Sequence, residues 1–181
     1  MDESFVDFVD VEDNPTLLEE GILCDNPNLY VVKSISKSFG VPGIRLGILA
    51  SDDLKLIADI KKDVAIWNIN SFAEFYLQIY EKYSKNYSTA LKKFKSARDK
   101  YIKDLSSLDG IRVIPTQANY VTCEITSGKT STQLAQDLLE KNIFIKDLST
   151  KKGFDGRNYI RIAVKNEEDN DKLIAALKEN L

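Results

Sequence analysis

Lys37 sits among small hydroxyl side chains, Ser34, Ser36 and Ser38, on a glycine-bounded segment eight residues before Arg45. A lysine that reacts as an amine needs a neutral, nucleophilic nitrogen and an electrophile held in place beside it. Serine hydroxyls and a guanidinium suit an anionic group such as a phosphate, and the guanidinium grips it as a two-pronged donor that lysine cannot copy. Gly40, Gly43 and Gly47 permit tight turns and a close approach of backbone to ligand. The combination fits an amine that forms a Schiff base with an aldehyde whose phosphate is held nearby.

The rest of the chain narrows the chemistry. It has 181 residues and no histidine, which excludes Ser-His-Asp and Cys-His nucleophile systems and any histidine-ligated metal site. Acid–base work falls to carboxylates, tyrosines or lysine. Arg161 interrupts an apolar run, a costly place for a charge unless it is paired, and Asn119 interrupts a similar one. Gly128-Lys129-Thr130 lacks the first glycine of a phosphate loop, with Cys123 in its place, and is expected to be a polar turn. Lys92, Lys93, Lys95, Arg98, Lys100 and Lys103 are interleaved with apolar residues at helical spacing, so they are expected to form a solvated helix face. A net charge of −3 gives no electrostatic reason to expect nucleic acid. The longest apolar stretches are too short to cross a bilayer, and the acidic start at Asp2 and Glu3 is unlike a signal peptide. Cys24 and Cys123 are expected to be reduced thiols in a cytoplasmic protein.

The elements that must position these residues follow from periodicity. Residues 5–9 alternate apolar and acidic and predict the end of a strand, with Asn14-Pro15 as punctuation and a short helix or turn over 16–21. Residues 29–35 predict a buried strand leading to Lys37, and 46–50 a second buried strand. Helices are expected from Asp52 and Asp53 to about residue 62, over 71–83, and over 87–108, the last ended by Gly110. Strands over 111–114, 119–125, 144–147 and 159–164, with helices over 131–141 and from Asn166 to the C-terminus, complete an α+β unit. The seam is expected between residues 64 and 100. The resulting division is 1–64, a connecting pair of helices over 65–108, and 109–181. Hydrophobic content of 43% suffices for a packed core.

The segment from Ser34 to Gly47 resembles the S-x-S-K-x-x-G-x-x-G-x-R-x-G pattern of class I/II pyridoxal-phosphate aminotransferases of fold type I. Asp2-Glu3-Ser4-Phe5 resembles the D-E-A-Y/F segment of that family, Gln117-Ala118-Asn119-Tyr120 its Q-A-N-F/Y strand, and Tyr159-Ile160-Arg161-Ile162-Ala163-Val164 its late L-R-I-S-V strand. The subgroup of histidinol-phosphate aminotransferase and threonine-phosphate decarboxylase is nearest. Phe5, and the W-x-x-N pattern of Trp67 to Asn70, lean toward the decarboxylase. Trp67 and Asn70 themselves are expected to pack and to start a helix.

The resemblance implies an α/β fold: an incomplete large domain holding a piece of parallel sheet, then the C-terminal small α+β domain. It implies the C-terminal part of an enzyme about twice this long, either cut or translated from a truncated frame and inactive alone. Pyridoxal 5′-phosphate is the implied cofactor, carried by Lys37, with Asp2 facing its pyridine nitrogen and Ser34, Ser36 and Arg45 at its phosphate. Arg161 would pair with the substrate α-carboxylate, oriented by Asn119; Lys146 and Lys151 could meet a substrate phosphate. Phe5 cannot donate the hydrogen bond that a tyrosine there gives the cofactor. No metal, nucleic acid or membrane partner is implied. The expected activity is transamination of an amino acid or phosphorylated amino acid by a homodimer. Alternatives are a threonine-phosphate-decarboxylase-like lyase and a non-catalytic aminotransferase-fold domain, including one that serves as a sensor.

Overall fold

The computed structural model describes residues 1–10 and 15–181, so Asn14 of the expected Asn14-Pro15 punctuation lies outside the described residues. The chain divides into two compact units, Met1–Thr89 and Ala90–Leu181.

In the first unit, β1 (Val31–Ser34) pairs antiparallel with β2 (Gly47–Ala50), Ser34 opposite Gly47. A single parallel bridge joins Asp2 to Val32, fixed by Glu3 N–H donating to Val32 O at 2.8 Å and Val32 N–H to Met1 O at 2.9 Å. The helices are α1 (Glu20–Asp25), α2 (Ile35–Ser38), α3 (Leu54–Asp63), α4 (Ser71–Tyr80) and the first turns of α5 (Ser84–Ser106). Asp53 caps α3 by accepting from Leu56 N–H at 2.9 Å. Asn70 caps α4 through Ala73 N–H at 3.0 Å. These caps satisfy donors that a helix start leaves open.

Several expectations for this unit are corrected. Residues 5–9 form a 3-10 turn, Val6–Phe8, and not a strand end; the extended pairing occurs earlier, at Asp2. Helix appears at Glu20–Asp25 and not over 16–21, because Thr16 and Leu17 are engaged by the Glu3 carboxylate at 2.7 and 2.5 Å. β2 is not buried: Ile48 and Leu49 are both exposed. Trp67 does not pack, being 89% exposed.

The second unit is a four-stranded antiparallel sheet in the order β3 (Ile111–Ile114), β4 (Tyr120–Ile125), β6 (Tyr159–Ala163), β5 (Lys146–Asp147). Strict alternation sends Val121, Cys123 and Ile125 of β4, and Ile160 and Ile162 of β6, to one face. That face is covered by Leu134 and Leu138 of α6 (Ser131–Glu140), Leu173, Ile174 and Leu177 of α7 (Glu167–Asn180), and Tyr101 and Leu105 of α5. Thr130 and Gln133 form a reciprocal capping box at α6, so the Gly128-Lys129-Thr130 turn is a helix entry. Gly110 ends the α5 region at φ +79°, and a Cβ there would lie 2.7 Å from the Ser127 Cβ, so only glycine fits. Arg98 corrects the expected solvated basic face. It is fully buried, donating to Gln117 O at 2.7 Å with its guanidinium 5.9 Å from the Phe94 ring.

Candidate active site

Lys37 lies in the four-residue helix α2 and not on an open loop, directly after β1. Ser34 caps that helix, its Oγ accepting from Ser36 N–H at 3.3 Å. Ser36 is buried beneath the turn while Lys37 is exposed. With Ile35 and Ser36 buried and Lys37 exposed, this short helix leaves Lys37 on the outer side of a seat that is hydrogen-bonded below it.

Arg45 follows the 3-10 turn Pro42–Ile44, against which α2 packs. Its backbone is left-handed at φ +57°, uncommon for a residue with a Cβ, and its guanidinium donates to Pro42 O at 3.3 Å while remaining exposed. Two of the three glycines have a structural reason. Gly40 takes φ +64°, and a Cβ on Gly47 would come 3.3 Å from Lys33 O. Gly43 shows neither feature.

Asp2 is tied to the lysine segment by one hydroxyl. Ser4 Oγ donates to Asp2 Oδ1 at 2.6 Å and accepts from Ser34 N–H at 3.1 Å, while Ser4 N–H also donates to Asp2 Oδ1 at 2.9 Å. The Ser4 hydroxyl, then its backbone N–H, hold the Asp2 carboxyl below the ordinary carboxylate range. Asp2 is therefore an anion whose second oxygen takes no hydrogen bond among the described residues. An amine, two hydroxyls, a guanidinium and a fixed carboxylate are the donor set that an aldehyde, a phosphate and a basic ring nitrogen call for, so these residues fit pyridoxal phosphate.

The second unit carries the remaining candidates. Arg161 is on β6, an interior strand between β4 and β5, on the sheet face opposite the core. It stands opposite Thr122 on one side and Lys146 on the other, with its guanidinium 5.1 Å from the Tyr120 ring centroid. Both cations are exposed, and no carboxylate among the described residues pairs with either. Asn119 does not hydrogen-bond Arg161; its carbonyl accepts Val164 N–H at 3.0 Å, holding the end of β6 beside the start of β4. Asn70 joins its cap role to a bond from Nδ2 to Ile44 O at 2.8 Å, which ties the start of α4 to the turn before Arg45.

Sequence reasoning missed Ser4, Asp7, Lys33, Phe39 and Tyr87. Lys33 donates to Asp7 Oδ1 at 2.7 Å, and both side chains are about nine-tenths buried. A lysine inside an otherwise apolar strand was the signal available for it.

Residues 1–177 match the family described as aminotransferase class I and II. The chain belongs to that family. The class I/II aminotransferases are in general pyridoxal-phosphate-dependent. The chain is 33% identical to the L-serine phosphate decarboxylase of Sulfurospirillum multivorans over 100% of its own length and 47% of that protein. It is 33% identical to the CMP-5′-(3-aminopropyl)phosphonate synthase of Streptomyces rubellomurinus over 99% of its length and 28% of that protein. Among solved structures, the histidinol-phosphate aminotransferase of Clostridium acetobutylicum superposes with a TM-score of 0.88 at 29% identity, covering 99% of this chain and 54% of that one. The chain thus spans about half the length of these relatives, or less, and its α/β fold is that of the corresponding part of the transferase structure.

Proposed function

We propose that this chain supplies the lysine-bearing part of a pyridoxal-phosphate-dependent aminotransferase acting on an amino acid or phosphorylated amino acid. The single observation that carries the proposal is the seat of Lys37: an exposed amine on α2, packed against the turn that presents Arg45, and linked through Ser34 and Ser4 to the ionised Asp2.

Pyridoxal phosphate, when bound, supplies an electron sink for the pair left at the substrate Cα. Lys37 Nζ would hold the cofactor, and the same amine would be the base for the substrate Cα proton. Asp2 would face the ring nitrogen and favour its protonated form by charge. Ser34, Ser36 and Arg45 would hold the phosphate, for which a guanidinium is a suited donor. Arg161 binds the substrate carboxylate, and its stack on Tyr120 limits the directions it can point. Asn119 acts on Arg161 only through the backbone that sets the end of β6. Phe5 offers no hydroxyl, so any donor to the ring oxygen comes from elsewhere.

Loss of CO₂ is the second reading. It is favoured by the likeness to a protein named as an L-serine phosphate decarboxylase and by the threonine-phosphate decarboxylase pattern at Phe5 and Trp67 to Asn70. A homodimer in the cytoplasm is part of the proposal. It is supported by the family and by the large apolar side chains that the first unit leaves exposed, among them Ile66, Trp67 and Phe72.

The test is titration with pyridoxal phosphate, followed by visible absorption. A cofactor band that is weak with this chain alone, strong once the part of the relatives' length it does not span is supplied, and abolished by Lys37→Ala supports the proposal. A strong band that survives Lys37→Ala contradicts it.

A further inference from the structure

Beneath the Lys37 turn lies a polar cluster that the proposed chemistry does not use. The Lys33–Asp7 ion pair links β1 to the 3-10 turn that follows the Asp2 segment. The Tyr87 phenol is buried beside the turn, and burial first, then the Asp7 charge, pushes it above its ordinary range. Asp7 Oδ2, Ser38 Oγ and Tyr87 Oη are all buried, and none forms a hydrogen bond of regular geometry among the described residues. Burial thus leaves two hydroxyl donors and one carboxylate acceptor in the region of the turn, and a carboxylate oxygen has lone pairs for both. The neighbouring rings add a second hold: Phe39 stacks on Tyr87 with centroids 4.3 Å apart and meets Tyr80 edge-on at 5.3 Å.

Ser38 and Phe39 directly follow Lys37, and Lys33 precedes it by four residues. The cluster grips the turn on both sides of the amine and joins it to the segment carrying Asp2. We infer that Asp7, Lys33, Ser38 and Tyr87 form a buried clamp that fixes the direction of the Lys37 amine relative to Asp2, making them positioning residues for that amine. A buried charge left without its partner is costly, so the Lys33–Asp7 pair holds one well-determined arrangement. The inference rests on Lys37 being the aldehyde-binding amine, but its effect on the turn can be measured without any cofactor.

The experiment compares backbone hydrogen exchange over residues 34–40 in the chain and in Tyr87→Phe, Lys33→Met and Lys33→Arg. The clamp predicts exchange about tenfold faster at residues 36–39 in Tyr87→Phe and Lys33→Met, near-parental exchange in Lys33→Arg, and unchanged protection in β4 and β6. The same proteins are then treated with pyridoxal phosphate and borohydride, and the share of label on Lys37 relative to other lysines is read by peptide mass. That share falls in Tyr87→Phe and Lys33→Met and is kept in Lys33→Arg. Unchanged exchange overturns the inference. Faster exchange with an unchanged Lys37 share overturns it equally, because the cluster would then support the fold without aiming the amine. If Lys33→Met does not fold, Tyr87→Phe, which removes a single oxygen, decides the matter. A parent chain with no preference for Lys37 refutes the proposed function instead, and the exchange pattern alone then decides whether the clamp exists.

Discussion

Arg161 and Lys146 stand directly opposite one another on β6 and β5, two exposed cations in a register that ordinarily pairs opposite charges or none. Like charges in this position weaken a sheet, and a site that receives anions is one reason to keep them. Lys146→Glu would convert the pair into an attractive one. The expected outcome is a second unit more stable by about 0.2–1 kcal/mol in urea unfolding, together with weaker retention of phosphorylated amino acids. Loss of stability in Lys146→Glu would show that the two cations do not oppose each other.

The core of the second unit has a different sensitivity. Leu138 is fully buried against β4, β6 and α7, whereas Phe144 is 85% exposed on the same unit. Leu138→Ala is expected to cost about 2–5 kcal/mol through lost burial and the cavity left behind. Phe144→Ala should stay within about 0.5 kcal/mol of the parent. Chemical denaturation of both variants checks the contrast.

Acid should weaken the second unit through one carboxylate. Burial raises the Asp147 pKa, but hydrogen bonds from the Thr132 hydroxyl, Ser149 N–H, and the Ser131 and Ser149 hydroxyls outweigh it and bring the group down to about 2. An unfolded aspartate titrates near about 3.9. Folding is therefore favoured by this group above that value, and the contribution disappears as pH falls through about 2. Unfolding midpoints measured from pH 5 downward should decline over that window, and Asp147→Asn should remove that part of the decline.

The chain's single tryptophan reports on the exposed apolar residues of the first unit. Trp67 is 89% exposed, so at low concentration its emission should resemble that of indole in water and be fully open to iodide. As copies associate, emission should move to the blue and quenching should fall. Shielded, blue emission from a species that sediments as a monomer would contradict the exposure seen here.

The α+β unit was legible because its signals are local and repeated. The alternation in β4 and β6 and the heptad-like stripe of Phe94, Tyr101 and Leu105 state which face is buried. Arg98 was misjudged because charge was weighed ahead of position. It lies four residues after Phe94 and three before Tyr101, which puts it on the buried stripe. The helix α2 was not legible, since Ile35-Ser36-Lys37-Ser38 is too short to show a period and its stability comes from the Ser34 cap and the packing of the turn before Arg45. Exposure of β2 and Trp67 was not legible either. Apolar composition predicts burial, but whether something covers a given apolar residue depends on chain remote in sequence. The link from Asp2 through Ser4 to Ser34 spans about thirty residues, and no local pattern encodes it.

The most direct test of the account is the address of the amine that captures pyridoxal phosphate. The chain is treated with the cofactor at low molar ratio, reduced with borohydride, digested and mapped by mass. The account predicts the phosphopyridoxyl group on Lys37 ahead of every other lysine, with that preference lost in Arg45→Gln. Label spread over the exposed lysines in proportion to their accessibility, and indifferent to Arg45, would contradict it.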